Sequence, residues 1–166
     1  MVSRTLVLKS PEEMQAWGHR FAKQLGDHDV VALVGELGAG KTTLVQSIAE
    51  AWGYRRGANS PTFALANEYM TPRGTIYHMD MYRLGVRELA GFPLEDYWGT
   101  GLCLIEWADR VRDRLPSSLI EVCLKITGPQ SRRLTLIRPK KRRDSAPSVR
   151  STGSPYPRRR SGRRAS

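Results

Sequence analysis

The strongest constraint on this chain is the pattern around residues 35–42, which read Gly-Glu-Leu-Gly-Ala-Gly-Lys-Thr. This octapeptide matches GxxxxGK[ST], the motif of a loop whose backbone N–H groups surround a polyphosphate. Residues 30–34 before it are all apolar, which is typical of a strand buried on both faces. Residues 43–52 after it place apolar side chains at helical spacing and are followed by Gly53. The motif therefore stands between a predicted strand and a predicted helix, as phosphate binding requires.

Each fixed position of the loop has a physical role in phosphate binding. Gly35, Gly38 and Gly40 allow the backbone to wrap closely round the phosphates. Lys41 is predicted to reach the β- and γ-phosphate oxygens, and the hydroxyl of Thr42 to complete a Mg²⁺ shell. The alternative is a glycine-rich turn before an ordinary helix. We expect a nucleoside triphosphate bound with Mg²⁺.

The charge of the chain is divided unevenly along its length. The 166 residues carry a formal net charge of +11, which by itself would suggest nucleic-acid binding. Residues 1–137 contribute only +1, whereas residues 138–166 contribute +10, with eleven Lys/Arg and one acid. This second segment is rich in Arg, Ser and Pro and has little apolar surface to bury. We predict a single folded domain at 1–137 and a disordered basic tail at 138–166.

The remaining compositional features favour a cytoplasmic protein. No stretch approaches the roughly 20 apolar residues of a membrane span, and the N-terminus lacks the apolar core of a signal peptide. The two cysteines, Cys103 and Cys123, lie in apolar runs. We expect buried, reduced thiols rather than a disulfide or a metal pair.

Alternating strand and helix patterns predict the fold. Ser10 begins a helix with a capping pattern that continues to Gly26, and residues 5–8 before it suggest an edge strand. The further strand candidates are 63–69, 75–79, 102–106, 119–126 and 134–137, and the further helix candidates are 84–90, 93–98 and 108–115. Because the hairpins cannot be parallel, we predict an α/β fold, a P-loop NTPase-like three-layer sandwich with a mixed, mainly parallel central sheet.

Two predicted strands end in an acid. Asp80 follows the strand at 75–79, and Glu106 follows the apolar run at 102–105. Since α/β sheets bind ligands at the carboxyl ends of their strands, both acids could face the same triphosphate. The structural alternatives are that Asp80 caps a helix and that Glu106 is a surface acid paired with Arg110.

Five further residues remain open candidates. His78 precedes Asp80 by two positions and should share its face of the sheet, with a structural hydrogen bond as plausible as a catalytic role. Arg83 could reach phosphate or pair with Asp80. Glu36, Tyr82 and Trp107 could contact a nucleotide or a partner, or simply pack.

Four separated blocks of sequence resemble one known family. They are residues 35–43, Ser60-Pro61-Thr62-Phe63, residues 77–84 (Tyr-His-Met-Asp-Met-Tyr-Arg-Leu) and Leu104-Ile105-Glu106-Trp107. In order and spacing they resemble the TsaE family, also called YjeE, over residues 5–137. These are bacterial P-loop ATPases of tRNA threonylcarbamoyladenosine biosynthesis. Met79 and Met81 depart from the usual apolar or aromatic neighbours of the motif acid.

The resemblance implies specific roles for residues of this chain. The implied metal residues are Thr42 and Glu106. Asp80 is implied to lie in a switch and to assist hydrolysis, and the loop around residues 60–62 to sense the nucleotide. The implied ATP phosphate contacts are Gly38, Ala39, Gly40, Lys41, Thr42 and Thr43. The implied partners are the TsaB and TsaD proteins, which transfer a threonylcarbamoyl group to the adenosine beside the anticodon of tRNAs.

We therefore predict a Mg-ATP hydrolase in which Lys41 and Mg²⁺ neutralise developing charge while Asp80 orients the attacking water. No arginine finger is evident in cis, so hydrolysis should be slow alone and stimulated by a partner. A small-molecule kinase, and a nucleotide-switched RNA-binding module with little hydrolysis, are the alternatives. The basic tail could hold tRNA through its phosphates. The absence of an Asn-Lys-x-Asp motif disfavours a Ras-type GTPase.

Overall fold

The computed structural model describes residues 1–58, 66–82 and 84–139. Within these ranges the chain forms one seven-stranded sheet with helical segments on both faces. The strands are β1 (Val2–Leu8), β2 (Val30–Gly35), β3 (Ala66–Thr71), β4 (Gly74–Asp80), β5 (Leu102–Glu106), β6 (Ile120–Ile126) and β7 (Arg132–Arg138). The helices are α1 (Pro11–Ala22), α2 (Lys41–Ala51) and α3 (Val86–Gly91), with 3-10 segments at Leu94–Tyr97 and Ala108–Arg114.

The sheet has a parallel centre and antiparallel margins. Its strand order is β1-β7-β6-β2-β5-β4-β3, in which the four strands β6, β2, β5 and β4 run parallel to one another. On one side β7 and β1 add antiparallel strands, and on the other side β3 pairs antiparallel with β4. The predicted mixed α/β sandwich is confirmed, with β1 at the edge position expected for it. The ends of β2, β4 and β5 therefore meet at one edge of the sheet.

The two faces of the sheet are covered by different elements. On β2, Val31 and Leu33 belong to a core with α1 and α2, whereas Val30 and Ala32 belong to a second core on the opposite face. This alternation follows from the two-residue period of a strand. The second core is closed by the 3-10 segments, through residues such as Leu94 and Val111. The predicted three layers are thus present, with one thick and one thin helical layer.

A capping side chain explains where helix α1 begins. The hydroxyl of Ser10 accepts the backbone N–H of Glu13 at 3.3 Å, which satisfies a donor in the first turn of α1. The sequence pattern extended this helix to Gly26, but it ends at Ala22. Leu25 beyond its end is still buried, so the apolar pattern there reports a packed turn rather than another helical turn. Helix α2 begins at Lys41, which places the last two motif residues in its first turn.

The predicted helix at 108–115 was wrong in type. The segment forms 3-10 turns that are interrupted at Val111, whose φ is −130°. Its buried residues are Ala108 and Val111, three positions apart. The kink at Val111 divides the segment into two short turns, so it is not one continuous helix.

The two cysteines form no disulfide. Both cysteines are free, with Cys103 buried and Cys123 only partly so. Burial raises the pKa of the Cys103 thiol to about 12 and that of Cys123 to about 11, which keeps both protonated at neutral pH. Among the described residues, no helix has the length and hydropathy needed to cross a membrane.

Candidate active site

The glycine-rich loop leads directly from β2 into α2 at the edge where the parallel strands end. Gly38 and Gly40 have φ values of 76° and 99°, the left-handed region that side chains disfavour. At Gly35 the limit is space, because a Cβ atom would lie 2.4 Å from the carbonyl oxygen of Leu124. These glycines allow the loop to curl over the N-terminus of α2, and the positive end of a helix favours an anion.

Lys41 is folded back onto its own loop. Its Nζ donates to the carbonyl oxygens of Gly35 at 2.6 Å and Glu36 at 2.9 Å. The side chain is only 4% exposed and the ammonium lies over the Trp107 ring. Burial lowers the pKa of Lys41, and the charge of Glu106 opposes that shift. A partly desolvated cation at this position is suited to binding a polyphosphate.

Thr42 and Glu106 form an oxygen-rich pair beside the loop. The Thr42 hydroxyl lies 2.9 Å from Oε1 and 3.0 Å from Oε2 of Glu106, and Glu106 is only 3% exposed. Mg²⁺ prefers such hard oxygen ligands and usually keeps several waters and substrate phosphates alongside one or two protein groups. The pair therefore fits a magnesium ion brought in with a nucleotide. The alternative of a surface acid paired with Arg110 is wrong, since Arg110 donates to the carbonyls of Met81 and Tyr82.

Asp80 lies in register with Glu106 on the neighbouring parallel strand. Its Oδ1 accepts the backbone N–H of Tyr82 at 2.9 Å, which fixes the carboxylate at the turn that follows β4. Helix α3 begins only at Val86, so the helix-cap alternative does not describe this acid. The Tyr82 ring packs against Trp107 with centroids 4.6 Å apart. Trp107 itself has a φ of 55°, an unusual left-handed backbone for a bulky residue.

These residues surround one open cleft of about 340 Å³. It is lined by Leu37, Gly38, Gly40, Lys41, Thr42, Thr43, Asp80, Tyr82, Glu106 and Trp107. The structure thus brings together the loop and the two strand-end acids that the sequence singled out. Ala39, which belongs to the same loop, is buried and is not among the residues that line this cleft. Residues 60–62 and Arg83 lie outside the described residues.

His78 makes hydrogen bonds behind the cleft rather than within it. It is fully buried, and its Nε2 lies 2.9 Å from Oε1 of Glu106. Its Nδ1 lies 2.9 Å from the hydroxyl of Tyr69 on β3. His78 is absent from the described residues that line the cleft. Between a structural hydrogen bond and a catalytic role, the structure supports the hydrogen bond for His78.

Sequence reasoning missed a contact between the last hairpin and the loop. Arg132, at the start of β7, donates from Nη2 to the carbonyl of Gly38 at 3.0 Å and from Nη1 to Gly128 and Ser131. Glu36, an open candidate for nucleotide contact, instead accepts the backbone N–H of Ile126 at 3.1 Å. No local pattern signals either contact, because the partners are separated by about 90 residues in the chain.

Arg132 also borders a second cavity on the far side of the loop. This cavity of about 140 Å³ shares Gly38, Gly40 and Thr43 with the main cleft. Its outer wall comes from the start of α1 and from the β6–β7 turn: Ser10, Pro11, Met14, Pro129, Gln130 and Arg132.

Comparison with known proteins identifies the family. The sequence model described as "Threonylcarbamoyl adenosine biosynthesis protein TsaE" matches residues 8–134. The chain belongs to the TsaE family. A TsaE relative from Bacillus subtilis is 39% identical over 127 residues, covering 76% of this chain and 80% of the relative. Another from Rickettsia bellii is 38% identical over 134 residues, covering 80% and 93%.

The fold comparison agrees with the family assignment. The crystal structure of YdiB from Bacillus subtilis matches with a TM-score of 0.68 and 32% sequence identity, covering 81% of this chain and 84% of that chain. The match to the family model ends at residue 134, within β7. All of the cleft-lining residues therefore lie within the part of the chain that is characteristic of TsaE proteins.

Proposed function

We propose that this TsaE protein binds and hydrolyses Mg-ATP, and that hydrolysis drives turnover of a TsaB–TsaD complex that threonylcarbamoylates tRNA. The observation that carries the proposal is the placement of Asp80 and Glu106 in register across from Lys41 and Thr42, around one cleft. Such a cleft offers a cation, backbone donors, a metal ligand pair and a second acid to one triphosphate. The family assignment supplies the tRNA context of the proposal.

The position of Lys41 and Thr42 in the loop suggests the direction in which the nucleotide lies. Lys41 and Thr42 serve the β/γ end of the triphosphate, beside Glu106 and Asp80. The α-phosphate then lies toward Thr43, and the nucleoside continues into the second cavity, which shares Thr43 with the cleft. Pro11 and Pro129 line this cavity and are exposed, so their rings are available to pack against a base.

Hydrolysis is assigned to an in-line attack of water on the γ-phosphorus. The bond from the water oxygen to phosphorus forms as the bond to the β,γ-bridging oxygen breaks, and the released proton passes to solvent. Asp80 orients the water, while Lys41 moves from its loop carbonyls to the phosphate oxygens. Thr42 and Glu106 would hold a Mg²⁺ ion that accompanies the nucleotide, and the ion would supply further neutralisation of phosphate charge.

Reconstitution tests the proposal. Purified TsaB and TsaD should modify tRNA through repeated turnovers only when this chain and hydrolysable ATP are both present. A non-hydrolysable ATP analogue should permit binding but stop turnover. Modification that continues at the same rate without this chain, or with the analogue, would refute the proposed role. A small-molecule kinase would instead consume ATP only when an alcohol acceptor is supplied.

A further inference from the structure

A continuous chain of buried hydrogen bonds runs from the edge hairpin to the cleft. It passes from the Tyr69 hydroxyl to Nδ1 of His78 over 2.9 Å, and from Nε2 of His78 to Oε1 of Glu106 over 2.9 Å. The Glu106 carboxylate then accepts the Thr42 hydroxyl. Tyr69 and Glu106 are each 3% exposed and His78 is fully buried. Solvent therefore does not compete for the two bonds that His78 makes, whereas the bond between Thr42 and Glu106 borders the open cleft.

The chemical nature of each group limits which atoms donate and which accept along this series of hydrogen bonds. With Glu106 ionised, its carboxylate can only accept, and the hydrogen bond then requires a proton on Nε2 of His78. In the neutral imidazole Nδ1 is then an acceptor, and the Tyr69 hydroxyl donates to it. In this arrangement Tyr69 favours the tautomer in which His78 donates to Glu106. The Tyr69 ring is held in turn by Tyr54, with centroids 4.6 Å apart.

We propose that Tyr69 and His78 are positioning residues that orient the Glu106 carboxylate for the divalent cation. The inference rests on the proposed function, because it concerns the cation that accompanies the nucleotide. The Thr42 hydroxyl also holds the carboxylate, but the same hydroxyl is the proposed metal ligand. His78 holds Oε1 from behind, so the carboxylate keeps its orientation when Thr42 turns to the cation. Partners of this kind typically change metal affinity by about 10- to 100-fold when removed.

Strand geometry explains why these three residues meet. His78 and Leu104 are in register on β4 and β5, and Glu106 lies two residues further on the same face of the sheet. Tyr69 lies on β3, which pairs antiparallel with β4. The hairpin β3–β4 thus delivers a hydroxyl and an imidazole to the rear of the strand-end acid. An apolar side chain at position 78 would fill this space but leave Oε1 without that donor.

Two amide variants distinguish positioning from packing. His78→Gln keeps a donor near the position of Nε2, whereas the shorter His78→Asn keeps a polar group near Nδ1 and does not reach Glu106. The full-length variants are titrated with Mn²⁺ in the presence of a non-hydrolysable ATP analogue, and free Mn²⁺ is measured by electron paramagnetic resonance. The melting temperature of each metal-free protein is recorded in parallel. Tyr69→Phe serves as a second variant that removes only one hydroxyl.

The expected result is that His78→Asn weakens Mn²⁺ binding by about 10-fold or more, and that His78→Gln restores most of it. Tyr69→Phe should weaken binding less than His78→Asn. Equal losses in the two amide variants, or losses that follow melting temperature alone, would assign His78 to packing and overturn the inference. Wild-type Mn²⁺ binding by His78→Asn would do the same. If the unaltered protein binds neither the analogue nor Mn²⁺, the proposed function itself fails.

Discussion

The ammonium group of Lys41 lies 3.8 Å from the centroid of the Trp107 ring. The same group donates to the carbonyls of Gly35 and Glu36, so its charge is satisfied by the loop and by an aromatic face. A polyphosphate in the cleft would compete for this ammonium with a much stronger charge. Binding should therefore move Lys41 relative to Trp107.

This relationship predicts an optical signal. Addition of Mg-ATP should change the tryptophan emission of the protein, because the cation leaves the face of Trp107. Three other tryptophans contribute background, so Trp107→Phe is the matched control and should lose most of the change. A change of equal size in Trp107→Phe would contradict the interpretation.

Replacing Lys41 with Ala should abolish tight ATP binding, because the cleft loses its central cation. The measurement is a titration with a fluorescent ATP analogue. Lys41→Arg is a useful control. It keeps the positive charge, but the bulkier guanidinium cannot occupy the position of the buried ammonium. An unchanged titration of Lys41→Ala would refute the assigned role.

Asp80→Asn should separate binding from hydrolysis. The amide can keep the hydrogen bond from the Tyr82 N–H, so the turn after β4 should persist. It lacks the negative charge that orients an attacking water, so hydrolysis should fall by about 10²-fold or more. Phosphate release and analogue affinity are measured on the same protein, alone and with TsaB and TsaD. Normal hydrolysis in both conditions would remove Asp80 from the mechanism.

The main cleft could be predicted from the sequence because its functional residues belong to local sequence patterns. Lys41 and Thr42 follow a fixed motif, and Asp80 and Glu106 each end an apolar strand, so sheet geometry alone brings them to one edge. The contacts of Arg132 and His78 could not be predicted in the same way. Arg132 meets Gly38 only because β7 is folded back beside the loop, and the partners of His78 depend on the register of β3, β4 and β5.

The packing of α1 on α2 predicts a stability effect at Gly18. A Cβ atom there would lie 2.5 Å from Cβ of Ser47 and 3.1 Å from Cδ1 of Leu44. Both helices would have to separate, so Gly18→Ala should reduce the free energy of unfolding by about 1–3 kcal/mol. Gly91→Ala is the matched control, since a Cβ atom at that position would have no neighbour within 4 Å among the described residues. Urea denaturation compares the two, and equal stabilities would contradict the close helix contact.

The basic tail is predicted to be an accessory to the folded domain. Strand β7 extends to Arg138, whose guanidinium lies over the Phe21 ring, so a truncation should be made after Pro139 to preserve this contact. The shortened protein should keep ATP hydrolysis and its binding to TsaB and TsaD. It should bind tRNA more weakly and with a shallower dependence on salt, because fewer phosphate counterions are released.

The matched control for this truncation keeps the chain length and replaces the tail arginines and lysines with Gln. Both proteins are titrated with tRNA at several salt concentrations, since only the salt slope reports on charge pairing with phosphate. If both lose the slope, the tail acts through its charge. An unchanged slope in both would show that the tail takes no part in tRNA binding, and lost ATPase activity in the truncated protein would show that the tail belongs to the domain.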